Sequence, residues 1–307
     1  MPEGSNASRA GRFLVLSCSA LLLFASGSAW LALYPPVPRD LGGAPNLDRA
    51  ARHVRIPVGN DAIDGWYLAG QEPVVVIIFH GYGRDHTRAW RYAHFLRAAG
   101  YGVLAPDFRS SRSRHRLPTT LGRHELADAE ATLAWVESRP ETRGARVALL
   151  GESLGASVAL VLAARHPEIV AVVADCPFAS AKRALEDAIE RWFHLPHAFA
   201  VPACRVGEML TGCDPCALNV VAAAESLRSR PLFLIHAARD DRFSTEQARD
   251  LWRAAGAKDE LWLVDTGHTE AWQSHREEYE RRVIAFLDRA LEENERETGS
   301  PAAGGER

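Results

Sequence analysis

The sequence predicts an α/β chain: a mostly parallel sheet of eight strands with helices on both faces. Two patterns carry this expectation. Runs such as Val74-Val75-Val76-Ile77-Ile78-Phe79 are β-branched and lack polar alternation, the signature of strands buried on both faces. Helical spacings of apolar residues separate these runs, and strands alternating with helices build parallel sheets. Composition agrees. The 307 residues are 47% hydrophobic and 24% charged, which is globular and excludes collagen, disorder and a multi-span membrane protein. A net charge of -3 removes the electrostatic case for nucleic-acid binding.

Taken in order, the chain opens with an uncharged apolar run, residues 13–34, preceded by Arg9 and Arg12 and closed by Pro35-Pro36. As a helix at ~1.5 Å per residue it would cover ~33 Å, enough for a hydrocarbon core of ~30 Å. A cleavable signal peptide would end after Gly27-Ser28-Ala29. A transmembrane signal anchor fits better, because Trp30-Leu31-Ala32-Leu33-Tyr34 continues the apolar stretch past that point. The arginines then hold residues 1–12 as a cytoplasmic tail and place the rest on the extracytoplasmic side, secreted if the segment is cleaved. Residues 35–51, rich in Pro and Gly, read as a linker.

The folded part then spans residues 52–291. Residues 53–58 and 63–68 alternate and suit an antiparallel edge hairpin. Buried strands are expected at 74–79, 103–105, 147–150, 169–173, 232–235 and 261–264. Helices are expected at 87–99, 122–137, 154–165, 245–255 and 270–291. Residues 179–224 break the rhythm and read as an insertion over the top of the sheet. Residues 292–307 are charged, then small and polar, and read as a disordered tail.

The chemistry concentrates at strand ends. Gly151-Glu152-Ser153-Leu154-Gly155 follows one buried strand and opens a helix, the setting that gives G-x-S-x-G its meaning. Flanking glycines relieve crowding at a sharp turn, the hydroxyl is thrust out, and the helix N-terminus supplies free N–H groups. A serine needs a base and the base an orienting acid. Asp240 lies in the loop after the strand at 232–235, and His268 in the loop after the last strand. The chain order Ser153, Asp240, His268 is that of a nucleophile–acid–base triad. Asp241 rivals Asp240, which is preferred because it stands four residues after His236. His80-Gly81-Tyr82-Gly83 follows the strand at 74–79, where glycines allow close approach to substrate. Tyr82 and Leu154 are therefore the expected backbone donors to an oxyanion, with His80, Gly81, Gly83, Gly151, Glu152 and Gly155 in support.

With these motifs in their order, the chain resembles the α/β-hydrolase superfamily. Within it, it is similar to the serine aminopeptidase-like and monoacylglycerol-lipase-like group, and to its membrane-anchored members. Pro106-Asp107-Phe108-Arg109, Asp175-Cys176-Pro177-Phe178 and Gly267-His268 belong to the same pattern, which covers about residues 52–291. The resemblance implies an eight-stranded sheet, a small cap at 179–224, and no cofactor or metal. Where the family continues with Gly-x-Gly-x-Ser after Arg109, this chain has Ser110-Ser111-Arg112-Ser113-Arg114. Where the family often has a glycine after His236, Ala237 stands.

The expected function is cleavage of an ester or related acyl bond in a small-molecule or lipid substrate. A peptidase, an acyltransferase and a non-catalytic binding protein on the same fold are the alternatives. Cys204, Cys213 and Cys216, with His194 and His197 nearby, tempt a zinc reading, but their spacing matches no common finger; a disulfide among the three is preferred. Arg109, Arg112, Arg114 and Arg116 read as a solvated loop that could attract an anion. The stripe Leu185, Ile189, Trp192 and Phe193 reads as packing on its own domain, with an amphipathic lid as the alternative. Oligomeric state is not legible.

Overall fold

In the computed structural model, residues 32–37, 50–111, 117–257 and 260–299 are described. Strands β1 (Arg52–Val58), β2 (Asp61–Leu68), β3 (Val74–Phe79), β4 (Gly102–Pro106), β5 (Arg146–Glu152), β6 (Ile169–Asp175), β7 (Leu232–Ala237) and β8 (Glu260–Val264) form one sheet in the order β1-β2-β4-β3-β5-β6-β7-β8. The β1–β2 hairpin and the β2–β4 pairing are antiparallel; every other pairing is parallel. The runs in β3 to β7 lack alternation because both sides of each strand meet a core; 261–264, expected as a buried strand, instead lie in the edge strand β8, where Leu263 is exposed and Leu261 and Trp262 are half-buried. Val75, Ile77 and Phe79 enter one core, and Val74, Val76 and Ile78 the other.

Among the described residues, the helices that follow β1 are α1 (His86–Ala98), α2 (Arg123–Ser138), α3 (Leu154–Arg165), α4 (Ala181–Phe193), α5 (Ala200–Thr211), α6 (Val220–Glu225), α7 (Thr245–Ala254), α8 (Ala271–Ser274) and α9 (Arg276–Thr298), with a 3-10 turn at His197–Phe199. Residues of α2, α3, α6 and α7 fill the first core, and residues of α1 and α9 the second. At ~1.5–3 kcal/mol for each fully buried large aliphatic side chain, these two layers dominate the stability of the fold. The chain passes from β3 outward to β4, then back across to β5 on the other side of β3. That reversal opens a crevice at the carboxyl ends of β3 and β5.

The C-terminal helical region differs from the sequence reading in two ways. The helix expected at 270–291 is broken at His275 (φ −133°, ψ 45°) into α8 and α9. The helix also runs past 291, so residues 292–298, read as tail, are helical. Their charges pair locally rather than repelling: Arg296 Nη2 reaches Glu292 at 3.1 Å, and Arg146 Nη1 ties Glu295 at 2.7 Å to the body. Gly299, at φ 65°, ends the helix.

Between β6 and β7, α4, α5 and α6 lie where the insertion is expected. Of the stripe on α4, Ile189 is buried, Leu185 is half-buried and Trp192 is exposed. Trp192, Phe199, Val201, Met209 and Leu210 leave the outer side of this cap apolar. Residues 13–31 of the expected membrane segment, the linker residues 38–49 and the last residues, 300–307, lie outside the described residues. Among the described residues, no helix is long and apolar enough to cross a membrane.

Candidate active site

The turn from β5 into α3 holds Ser153 at φ 55°, ψ −117°, a conformation a non-glycine residue adopts at a cost of about 1–3 kcal/mol. The surroundings leave it no alternative. A Cβ on Gly155 would stand 2.2 Å from the carbonyl oxygen of Phe79, and one on Gly151 would stand 2.4 Å from that of Gly155. Strand β3 therefore packs directly on the start of α3, and the serine is forced outward. The Ser153 N–H donates to Asp175 O at 2.8 Å, pinning the turn from the other side.

His268 Nε2 lies 2.9 Å from Ser153 Oγ, and His268 Nδ1 lies 2.7 Å from Asp240 Oδ2. The three side chains come from the turns after β5, β7 and β8, Ser153 lying 115 residues before His268 and Asp240 only 28 before it, and they join at one sheet edge. Asp240 Oδ1 accepts the N–H groups of Arg242 and Phe243 at 2.7 and 2.9 Å. Burial opposes ionisation of Asp240, but the His268 hydrogen bond and charge, with those two N–H groups, hold its carboxyl below the usual range. Asp241, the sequence rival, is exposed and faces the cavity instead.

His236 shapes this loop from below. It is fully buried, and burial pushes its imidazole pKa down, against the pull of Asp240 3.8 Å away. Its Nε2 lies 3.2 Å from Phe243 O, so the neutral ring donates there and fixes the turn that presents Asp240. Phe243 in turn meets the His268 ring edge-on, with centroids 5.3 Å apart.

The loop after β3 is set against the elbow. A Cβ on Gly81 would come within 3.3 Å of Ser153 Cβ. His80 is a spacer beneath it: Nε2 accepts the Phe108 N–H at 3.1 Å, leaving Nδ1–H to donate to Gly81 O at 2.9 Å. Leu154 is the first residue of α3, so its N–H belongs to the unpaired donors of a helix start. Tyr82 lines the same cavity and donates its hydroxyl to Ala32 O at 2.7 Å. The Thr119 N–H donates to Leu33 O at 2.8 Å, so the short segment 32–37 lies beside this loop.

Sequence reasoning missed what lies under the nucleophile. Glu152 is buried and paired with Arg91 and Arg88. Tyr92 Oη stands 3.2 Å from Glu152 and 3.4 Å from Asp175, and the Tyr279 hydroxyl donates to Asp175 at 3.1 Å. Arg91 also reaches Thr269 O at 3.4 Å, next to His268. Burial opposes the charge on Glu152, yet the two arginines hold its carboxyl below the usual range. The spacing of Arg88 and Arg91 along one face of α1, shortly after the glycine loop, was the available signal.

The triad opens into a cavity of about 530 Å³ whose lining includes Tyr82, Arg84, Arg242 and Gln273. Elsewhere, Cys204 and Cys216 form a disulfide, which takes up two of the thiols on which a zinc reading would depend. His197 pairs with Glu190, and Cys213 Sγ is 3.9 Å from His124 Nε2. Of the basic loop, Arg109 is held by Asp128; Arg112, Arg114 and Arg116 lie outside the described residues.

Residues 70–215 match the family described as serine aminopeptidase, S33. An uncharacterized protein of Mycobacterium tuberculosis is 29% identical over 171 residues, 54% of this chain, which spans only 60% of that relative's length. An esterase of Pyrococcus furiosus, Pf2001, superposes with a TM-score of 0.68 at 27% identity, covering 83% of this chain and 98% of that one. An acylaminoacyl peptidase of Pyrococcus horikoshii shares the fold, with a TM-score of 0.60 at 17% identity over 78% of this chain and 41% of that one. The sheet order, the elbow at the end of β5 and these likenesses together make the chain a member of the α/β-hydrolase superfamily.

Proposed function

We propose that the chain is a serine hydrolase that cleaves an ester or related acyl bond through a covalent acyl-enzyme. The unbroken hydrogen-bonded line Ser153–His268–Asp240 at the mouth of the cavity carries this reading. Ser153 Oγ attacks the acyl carbon while His268 Nε2 takes its proton; Asp240 holds the ring and steadies the imidazolium. The carbonyl oxygen becomes an oxyanion facing the N–H groups of Leu154 and Tyr82. Collapse expels the alcohol, protonated by His268. Water, giving its proton to His268, then attacks the acyl-serine and releases the acid and Ser153. The sequence draws on no cofactor. The Pyrococcus esterase likeness favours an ester; the serine aminopeptidase family keeps an amide in view. Ser153 should be labelled by a fluorophosphonate and short p-nitrophenyl esters hydrolysed, with Ser153→Ala silent in both assays. Faster turnover of aminoacyl arylamides would shift the reading to a peptidase. Folded protein that neither labels nor turns over any substrate would point to a binding role.

The tether is a second proposal. The uncharged run 13–34 behind Arg9 and Arg12 anchors the chain with its catalytic part outside the cytoplasm. The docking of Ala32 and Leu33 beside Tyr82 and Thr119, the Cys204–Cys216 disulfide and the apolar cap support it. Retention in membranes after alkaline extraction, with protease access from outside intact cells, is the expected result; release of a shortened soluble chain would mean cleavage.

A further inference from the structure

We propose that the catalytic cavity is built for a substrate that carries an anion, a carboxylate or a phosphate, held by the guanidinium groups of Arg84 and Arg242. The inference rests on the reading of Ser153 as nucleophile and names the substrate class for that site. Among the described residues, four arginines line the cavity: Arg84, Arg88, Arg239 and Arg242. Two are spoken for, Arg88 by Glu152 at 3.3 Å and Arg239 by Asp265 at 2.8 Å. The side chains of Arg84 and Arg242 have no hydrogen-bond or ion-pair partner among the described residues.

The carboxylates of the lining do not fill that gap. Glu152 is committed to Arg88 and Arg91 beneath the serine, and Glu270 accepts the Gly267 N–H at 3.2 Å. Asp241 lines the cavity too, but comes within ion-pair distance of no cation among the described residues. Arg84 instead sits among like charges. Burial, followed by the charges of Arg88, Arg242 and Arg91, holds its guanidinium below its ordinary range, with Glu152 the one opposing influence. A half-buried arginine surrounded by arginines is stabilised by any anion that arrives.

Placement points the same way. Arg84 follows Tyr82 by two residues on the loop after β3, and Arg242 follows Asp240 by two on the loop after β7. Arg242 is fixed through its own N–H, which donates to Asp240 at 2.7 Å. The cations therefore belong to the loops that carry the expected oxyanion donor and the triad acid. Among the described residues the lining holds no aliphatic side chain, and its only aromatic rings are Tyr82 and the catalytic imidazole of His268. It offers little to a plain hydrocarbon acyl chain, whereas a guanidinium fork matches carboxylate and phosphate oxygens.

Two pairs of esters test this and locate the anion. p-Nitrophenyl hydrogen glutarate against p-nitrophenyl pentanoate places it on the acyl side. 4-Butyryloxybenzoate against phenyl butyrate places it on the leaving group. The wild-type full chain should favour the charged member of at least one pair by about tenfold or more in kcat/KM, a margin that shrinks with added salt. In Arg84→Gln/Arg242→Gln that ratio should collapse about tenfold. Inorganic phosphate or glutarate should also slow fluorophosphonate labelling of wild-type Ser153, where neutral glutaramide does not, a readout that needs no variant. A wild-type ratio of one or less in both pairs, or an undiminished ratio in a variant whose Ser153 still labels, overturns the anion site and leaves the hydrolase reading standing. Failure of the wild-type chain to label or to turn over any of these esters overturns the hydrolase reading itself.

Discussion

Asp240 divides its carboxylate between two tasks: Oδ2 meets His268 Nδ1 at 2.7 Å, and Oδ1 takes the N–H groups of Arg242 and Phe243. The acid is thereby locked to its own loop before it orients the imidazole. Asp240→Asn keeps the shape of the group but presents an amide to Nδ1, favouring the wrong tautomer. Turnover of a p-nitrophenyl ester should fall about 10³–10⁴-fold in kcat, and Asp241→Asn should cost less than about tenfold. Equal losses from the two substitutions would reassign the acid.

Beneath the serine, Glu152 is the one carboxylate that pairs with Arg88 and Arg91 among the described residues. Removing one partner of a buried pair leaves charge stranded, at about 3–5 kcal/mol. Glu152→Gln should therefore lower unfolding stability by roughly that amount in urea titrations. The exposed pair Arg205–Glu208, 2.9 Å apart, should matter little: Glu208→Gln is expected to change stability by less than about 1 kcal/mol. Similar effects from both would show that the network beneath the elbow is solvated.

How much of this was legible follows from how local each signal is. Ser153 announces itself because strand, tight turn and helix are contiguous in sequence. Asp240 and His268 are readable as loops after strands, but their meeting depends on the order of β5, β7 and β8, which single-chain spacing does not state. The Glu152–Arg91–Asp175 network was opaque because its members look like ordinary charges on a helix and two strand ends. Residues 292–298 misled for the opposite reason: charge suggests solvation, yet i,i+4 pairing and Arg146 turn the same residues into a docked helix.

Stability should carry the mark of His236. Its folded pKa lies below the unfolded value of about 6.5, so below pH ~6.5 the unfolded state binds more protons than the folded one. Stability from this group is intact above that pH and lost as pH falls toward the depressed folded pKa. His236→Gln removes the difference. Between pH 7.5 and 5.5 the wild type should lose stability more steeply than the variant, by at most about 1.4 kcal/mol per pH unit. Parallel slopes would mean that His236 is already protonated in the folded chain.

The Cys204–Cys216 disulfide closes a short loop that links α5 to the segment on which the cap rests. That segment packs into the body: Leu218 sits 2.5 Å from where a Gly122 Cβ would stand, and the Ala181 N–H donates to Leu218 O at 3.0 Å. Pro215 likewise lies 2.8 Å from the Cβ position of Gly207 on α5. A closed loop of this size is worth about 3 kcal/mol, and here it acts on the cap rather than on the sheet, whose two cores include no described residue of α5. Cys204→Ser, or reduction with dithiothreitol, should therefore raise the rate of proteolytic cutting within residues 200–218 by about tenfold or more. The far-ultraviolet circular dichroism of the sheet and α9 should stay intact. Cutting spread evenly across the chain would instead make the bond a support of the whole fold, and an unchanged rate would show that packing around Leu218 holds the cap without it.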